Sequence, residues 1–404
     1  MRIRTLTKLF VMASLAMSAA VAACGDDDNF VVRTRDGGSD ATTDAEGGLP
    51  NTLACGVAIP AAYDSPNFAT NAKEELELKE KLNAINAKMK TAEGATPVPV
   101  TTAELQALFT AGAPNLRSVA TAYAQSTVDT YLTQFGDAAP RTWKPEEAEA
   151  DGGADAGDGG TDGGAAVGGR YDGTYVYNPV GVDLREATGK LLINGSLYNY
   201  ALALAGGVIT EATVDRLLGL YGATPTLLNA APGEAGAEEN ELIAEYSFNR
   251  DSKIGAPGAY RKIRSALLVM KAAAANGDKC RADFDGALKI FFLEWEKAAY
   301  ATVIYYLNQA AGNATAIPAK GPAALHAYGE ALGLAQGFKG IPQDRRKITD
   351  VQIDGILARI GAATPYQLVT RTGERVVAFN TAFQEIGAIF GMTQTDIEDA
   401  KKAY

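Results

Sequence analysis

The single histidine of the chain, His326, stands four residues before Glu330 in ALHAYGEALGLAQGF. On a helix that spacing sets an imidazole and a carboxylate one turn apart on the same face, where both can reach one metal ion. Zinc and iron accept such a mixture of ligands. Two ligands are half a site, so a metal centre needs further donors, which Glu294 and Glu296 of FFLEWEKAAY could supply if their helix lies alongside. A second reading of the same residues has His326 hydrogen-bonded to Glu330 or to a tyrosine inside a helical core. With one histidine, a catalytic triad would have to use His326, and no serine, histidine and acid arrangement stands out. GxGxxG is absent, and the glycine-rich tracts are acidic, which repels phosphate. Seventeen tyrosines include Tyr300, Tyr305 and Tyr306 close together; they suit iron(III) or a buried hydrogen-bond network.

Cysteine is the other reactive type, with three residues. MRIRTLTKLF gives a basic start, LFVMASLAMSAAVAA an apolar run of signal-peptide length, and Val21-Ala22-Ala23-Cys24 resembles the bacterial lipobox. Residues 1–23 are therefore expected to be a signal peptide and Cys24 the lipidated first residue of the mature chain, carrying acyl groups such as palmitate. Such chains hold a protein on a membrane, at about 0.8 kcal/mol per buried methylene. The expected address is the cell envelope, on the outer membrane or cell surface. Disulfides persist there, and Cys55 and Cys280 are left either to bridge or to sit apart as two buried thiols.

The elements that must position these residues read as helices. Leu288, Phe292, Trp295, Ala299, Val303, Tyr306 and Ala310 form one apolar stripe, and from Ala298 to Leu307 no face carries a charge. A helix apolar nearly all round is buried in a larger helical body; this run is too short to span a bilayer. Asp183 is placed to cap the helix that follows it. Thr349 with Gln352, and Thr395 with Glu398, have capping-box spacing. RYDGTYVYNPVG reads as a short strand or extended piece. Proline and glycine breaks mark about ten helices. The fold class is all-α, packed as bundles, with two bundle halves as one arrangement.

Net charge is -11 over 404 residues. Residues 24–50 and about 146–169 are acidic and rich in Asp and Gly, a composition that cannot bury enough apolar surface to order itself. We expect a disordered tether at 24–50 and a disordered insertion at 146–169 within a helical domain spanning 51–404. Each tract holds seven acids, so the remainder is left near neutral once residues 1–23 are removed. Nothing in it has the basic footprint that nucleic acid requires.

The blocks WEKAAYATVIYYLN, HAYGEALGLAQGF and DRRKITDVQI resemble the C-terminal half of a family of bacterial lipoproteins catalogued as a domain of unknown function. EATGKLLINGSLYNYAL and KEKLNAINAKMKTAEG look like its earlier helices. That family is similar, more remotely, to the imelysin group, helical envelope proteins associated with iron uptake and once classed as peptidases. Trp295, Glu296, Lys297, Asn308, His326 and Glu330 carry the match. The imelysin Gly-x-His-x-x-Glu motif is missing: Ala324 stands two places before His326, and the acid comes four places after. The resemblance implies an imelysin-like helical bundle, anchored through Cys24, that binds rather than catalyses, as an accessory to iron or haem acquisition. Its metal residues would be His326, Glu330 and Glu296, with iron or zinc as cofactor and an envelope protein as partner. The alternatives are a metal-dependent hydrolase with Glu330 or Glu296 as general base, and a surface scaffold with no small ligand.

Overall fold

The structure, a computed structural model, describes residues 51–151, 167–229, 240–251 and 258–402. Cys24, the signal-like segment, the first acidic tract and residues 152–166 lie outside the described residues. What is described is all-α apart from one two-stranded antiparallel ribbon, Gly169–Arg170 with Val176–Tyr177. Among the described residues no helix is long and apolar enough to cross a membrane.

The longest helix, Arg281–Thr315, is the central helix, with Trp295 and every residue from Ala298 to Leu307 buried. It lies against Ala259–Ala274, Leu242–Arg250, Thr372–Phe390 and the histidine helix, Gly321–Gln336. Neighbours on several sides explain why its apolar residues run all round instead of keeping to one stripe. Trp295 donates its Nε1–H to Asn194 at 3.2 Å, and Asn194 in turn donates to the Leu334 carbonyl at 3.3 Å. Asn194 belongs to a π-helical stretch, Ile193–Tyr198, that continues the helix Leu184–Leu192. A wider turn of this kind shifts the side chains that follow it, here bringing one amide between two helices.

The histidine helix approaches Leu184–Leu192 through three glycines a turn apart. A Cβ on Gly329 would lie 2.7 Å from the Asp183 Cβ, one on Gly333 2.7 Å from the Ala187 carbonyl, and one on Gly337 2.8 Å from the Asn194 Cβ. Only hydrogen fits at these places, and the close approach brings His326 to Asp183.

Several expectations need correction. More helices occur among the described residues than about ten, because single turns such as Phe68–Asn71 and Gln367–Thr370 are too short to leave a periodic signal. The last capping box is Thr393 with Asp396, not Thr395 with Glu398. Gly391, in the left-handed conformation, ends the preceding helix, so capping starts two residues later. The expected insertion at about 146–169 falls mostly on residues outside the described ones, but its two ends are ordered. Pro145–Asp151 is helical and held by a Glu149–Arg371 ion pair of 2.9 Å, while Gly169 enters the ribbon. Thr349 with Gln352 caps its helix as expected.

Cys55 and Cys280 are bridged, Sγ to Sγ 2.09 Å, across a sequence separation of 225. Beside the bridge, the Asp283 carboxylate accepts the Ala54 and Cys55 N–H groups at 2.9 and 3.2 Å. The segment at Ala54 and Cys55 is thereby fastened twice to the start of the central helix.

Candidate functional site

His326 sits in a buried cluster of charged groups supplied by three elements. Its Nδ1–H donates to Asp183 Oδ2 at 2.9 Å, and its Nε2 is 3.9 Å from Glu186. The Tyr175 ring, just ahead of the ribbon's second strand, stacks on the imidazole with centroids 4.0 Å apart. Asp183 has two tasks, since its Oδ1 caps the helix by accepting from the Glu186 N–H at 3.1 Å. Arg185 bonds Glu93 at 2.9 Å and Glu186 at 2.7 Å. Glu330 pairs with Lys190 at 3.2 Å, and Lys190 also donates to the Tyr246 hydroxyl at 2.6 Å.

The charges nearly cancel. Burial pushes the imidazole down, but the hydrogen bond to Asp183 and the charges of Glu186, Asp183 and Glu330 outweigh it and raise its pKa to about 9. His326 is thus a cation at neutral pH. Burial raises Glu93 to about 8 against the pull of Arg185, with Asp183 and Glu186 adding to the rise. Burial works against the Glu186 charge too, yet Arg185, His326 and Lys190 hold that carboxylate low. With Glu93 protonated, the carboxylates of Asp183, Glu186 and Glu330 face Arg185, Lys190 and His326, and Lys90 adds a further positive charge that also holds Glu186 low. Glu93 Oε1 is buried with no hydrogen-bond partner among the described residues, a position better tolerated by a neutral carboxyl than by an anion.

This arrangement does not fit the expected metal centre. His326 and Glu330 do belong to one cluster, but Lys190 and Arg185 stand among the carboxylates and supply the positive charge an ion would bring. Glu294 pairs with Lys262 at 3.3 Å, and Glu296 has wholly different neighbours. Among the described residues, no group of three ligand atoms within 4.8 Å includes His326, Glu330 or Glu296; the one such group is Cys55, Cys280 and Asp283, whose sulfurs are tied up in the disulfide. The tyrosines take the core role: Tyr300 donates to the Ala335 carbonyl at 2.8 Å, and Tyr305 accepts from Gln309 at 2.8 Å.

Glu296 shapes a second place. Its buried carboxylate accepts the Lys347 N–H at 2.9 Å, the Ile348 N–H at 3.1 Å and the Tyr198 hydroxyl at 3.0 Å. Burial raises its pKa, and these three bonds oppose the rise. By gripping two successive amides, Glu296 fixes the turn Arg345-Arg346-Lys347 against the central helix. Between them lies an open cleft of about 480 Å³, within the size range of small-molecule sites. Leu202, Leu288, Phe292 and Leu293 form its apolar wall, and Lys289 joins the three basic residues of the turn. Its lining includes no serine, threonine, cysteine, histidine or tyrosine.

Of the cluster, sequence reasoning found His326 and Glu330 and read Asp183 as a cap alone. It missed Glu93, Tyr175, Arg185, Glu186 and Lys190. The Glu186–Lys190 pair, four residues apart, is the one local signal that could have marked them. Compared with protein-family models, with curated proteins and with solved structures, the chain gives no match in any of the three.

Proposed function

We propose that this chain is a lipid-anchored helical protein of the cell envelope, imelysin-like in arrangement, that binds a ligand without transforming it. In this reading it serves as an accessory to iron or haem acquisition and works beside an envelope partner. The lipobox-like residues ending at Cys24 and the blocks around Trp295 and His326 support the address and the kinship. One observation carries the choice of binding over catalysis: the charged groups about the sole histidine are sealed and answer one another, whereas the open cleft is lined without a hydroxyl, thiol or imidazole nucleophile. A hydrolase would need Glu330 or Glu296 as a general base within reach of a water. Glu330 is held by Lys190, and Glu296 already accepts from two amides and a hydroxyl.

The test is calorimetric titration of the full chain with haem, ferric iron and zinc, alongside cleavage of a peptide library with and without chelator. The expected result is saturable binding of at least one of these ligands and no chelator-sensitive cleavage. Cleavage abolished by chelator would overturn the binding reading in favour of the hydrolase. Zinc or iron binding that disappears in His326→Ala would overturn the assignment of that cluster as self-neutralised.

A further inference from the structure

The cleft beside Glu296 has a lining more specific than its size. Asp285, on its wall, is taken up by Arg281 at 2.9 Å, and the Glu296 carboxylate by the three donors already described. Lys289 and Lys347 are exposed and have no ion pair among the described residues, where the Arg345 side chain makes one hydrogen bond, from an Nη to the Leu202 carbonyl at 2.7 Å. Arg346 adds a second kind of evidence. Its side chain is 1% exposed, its Nε donates to the Ile341 carbonyl at 2.8 Å and one Nη pairs with Asp350 at 2.8 Å. Its other terminal nitrogen, Nη1, is buried with no hydrogen-bond partner among the described residues. A buried guanidinium N–H left unmatched is costly, and Arg346 lines this cleft. Of the acidic residues in the lining, Glu296 is taken up by neutral donors, and Asp344 has no ion pair among the described residues.

We propose that the cleft binds a small amphipathic anion, an organic carboxylate with an aliphatic or aromatic body. The carboxylate meets Lys289, Arg345 and Lys347, with Arg346 behind them, and the body lies along Leu288, Phe292 and Leu293. Guanidinium and ammonium groups at the mouth of an apolar wall favour such a ligand over both a neutral alcohol and an inorganic anion. Glu296 is a positioning residue here: it touches no ligand and holds the basic turn in place.

This inference rests on the binding reading and assigns its ligand class. Octanoate, octan-1-ol, octylamine and inorganic phosphate are titrated into the full chain by calorimetry, and into the Lys289→Glu/Lys347→Glu double variant, whose unfolding midpoint is checked first. Both changes are at exposed positions, so the fold is expected to survive; Lys289→Gln/Lys347→Gln serves if it does not. The expected result is octanoate binding that is at least tenfold weaker in the variant, weaker binding of the alcohol, and none of the amine. Octanoate that fails to bind, that binds the variant equally well, or that is matched by octylamine or phosphate would overturn the site. Haem or iron binding that persists in the double variant, with no octanoate binding to either protein, would remove this site and leave the binding reading standing.

Discussion

A single buried carboxylate, Asp183, decides what His326 can do. It accepts the Nδ1–H, caps a helix and helps keep the imidazole charged, so the histidine works as a structural cation. The consequence for pH follows from linkage. The folded pKa, about 9, lies above the unfolded value, so the contribution to stability is complete below about 6.5 and is lost as pH rises through 9. Glu93 acts in the same direction, because a carboxyl raised to about 8 also favours the folded state less as pH climbs. Chemical unfolding between pH 6 and 10 should show stability falling with pH, on the order of 3 kcal/mol from the histidine. In His326→Gln the protein should be less stable at pH 6, and its slope between 6.5 and 9 should be flatter. A slope unchanged in the variant would mean that the charge is not held on His326.

Glycine does the positioning at the scale of elements. Gly329, Gly333 and, at the helix end, Gly337 let the histidine helix settle on its neighbour closely enough for the His326–Asp183 bond, although the two interior glycines cost roughly 1 kcal/mol each in propensity. Gly333→Ala should improve propensity and yet destabilise by about 1–3 kcal/mol, because the added methyl meets the Ala187 carbonyl and the Lys190 Cβ. Gly312 on the central helix has open space where a methyl would stand, with no neighbouring atom within 4 Å, so Gly312→Ala should stabilise by about 0.4–1 kcal/mol. Urea unfolding of the two variants checks both signs; two stabilised proteins would show that the helices are free to separate.

For the whole molecule, the Cys55–Cys280 bridge joins the first described residues to the central helix and closes most of the chain into a loop. Chain-entropy models give about 5 kcal/mol for so long a loop, an upper figure. Cys55→Ser/Cys280→Ser should lose about 2–5 kcal/mol, measured by unfolding without reductant, and reductant should then leave the variant's midpoint unmoved. The clasp of Asp283 on Ala54 and Cys55 should keep the segment docked in that variant. Sequence alone determined the helical class, the burial of the Trp295 segment, the cap at Asp183 and the box at Thr349, since these depend on periodicity and on contacts three or four residues apart. It also put His326 and Glu330 on one face. It left open whether the two cysteines meet, and it suggested Glu296 as a companion of His326 when the two serve different places. Those questions turn on contacts such as Asp183 with His326, 143 residues apart, and Glu296 with Lys347, 51 apart. No local pattern encodes such pairs; the tertiary structure decided them, through glycines that let helices approach and a carboxylate that pins a distant turn.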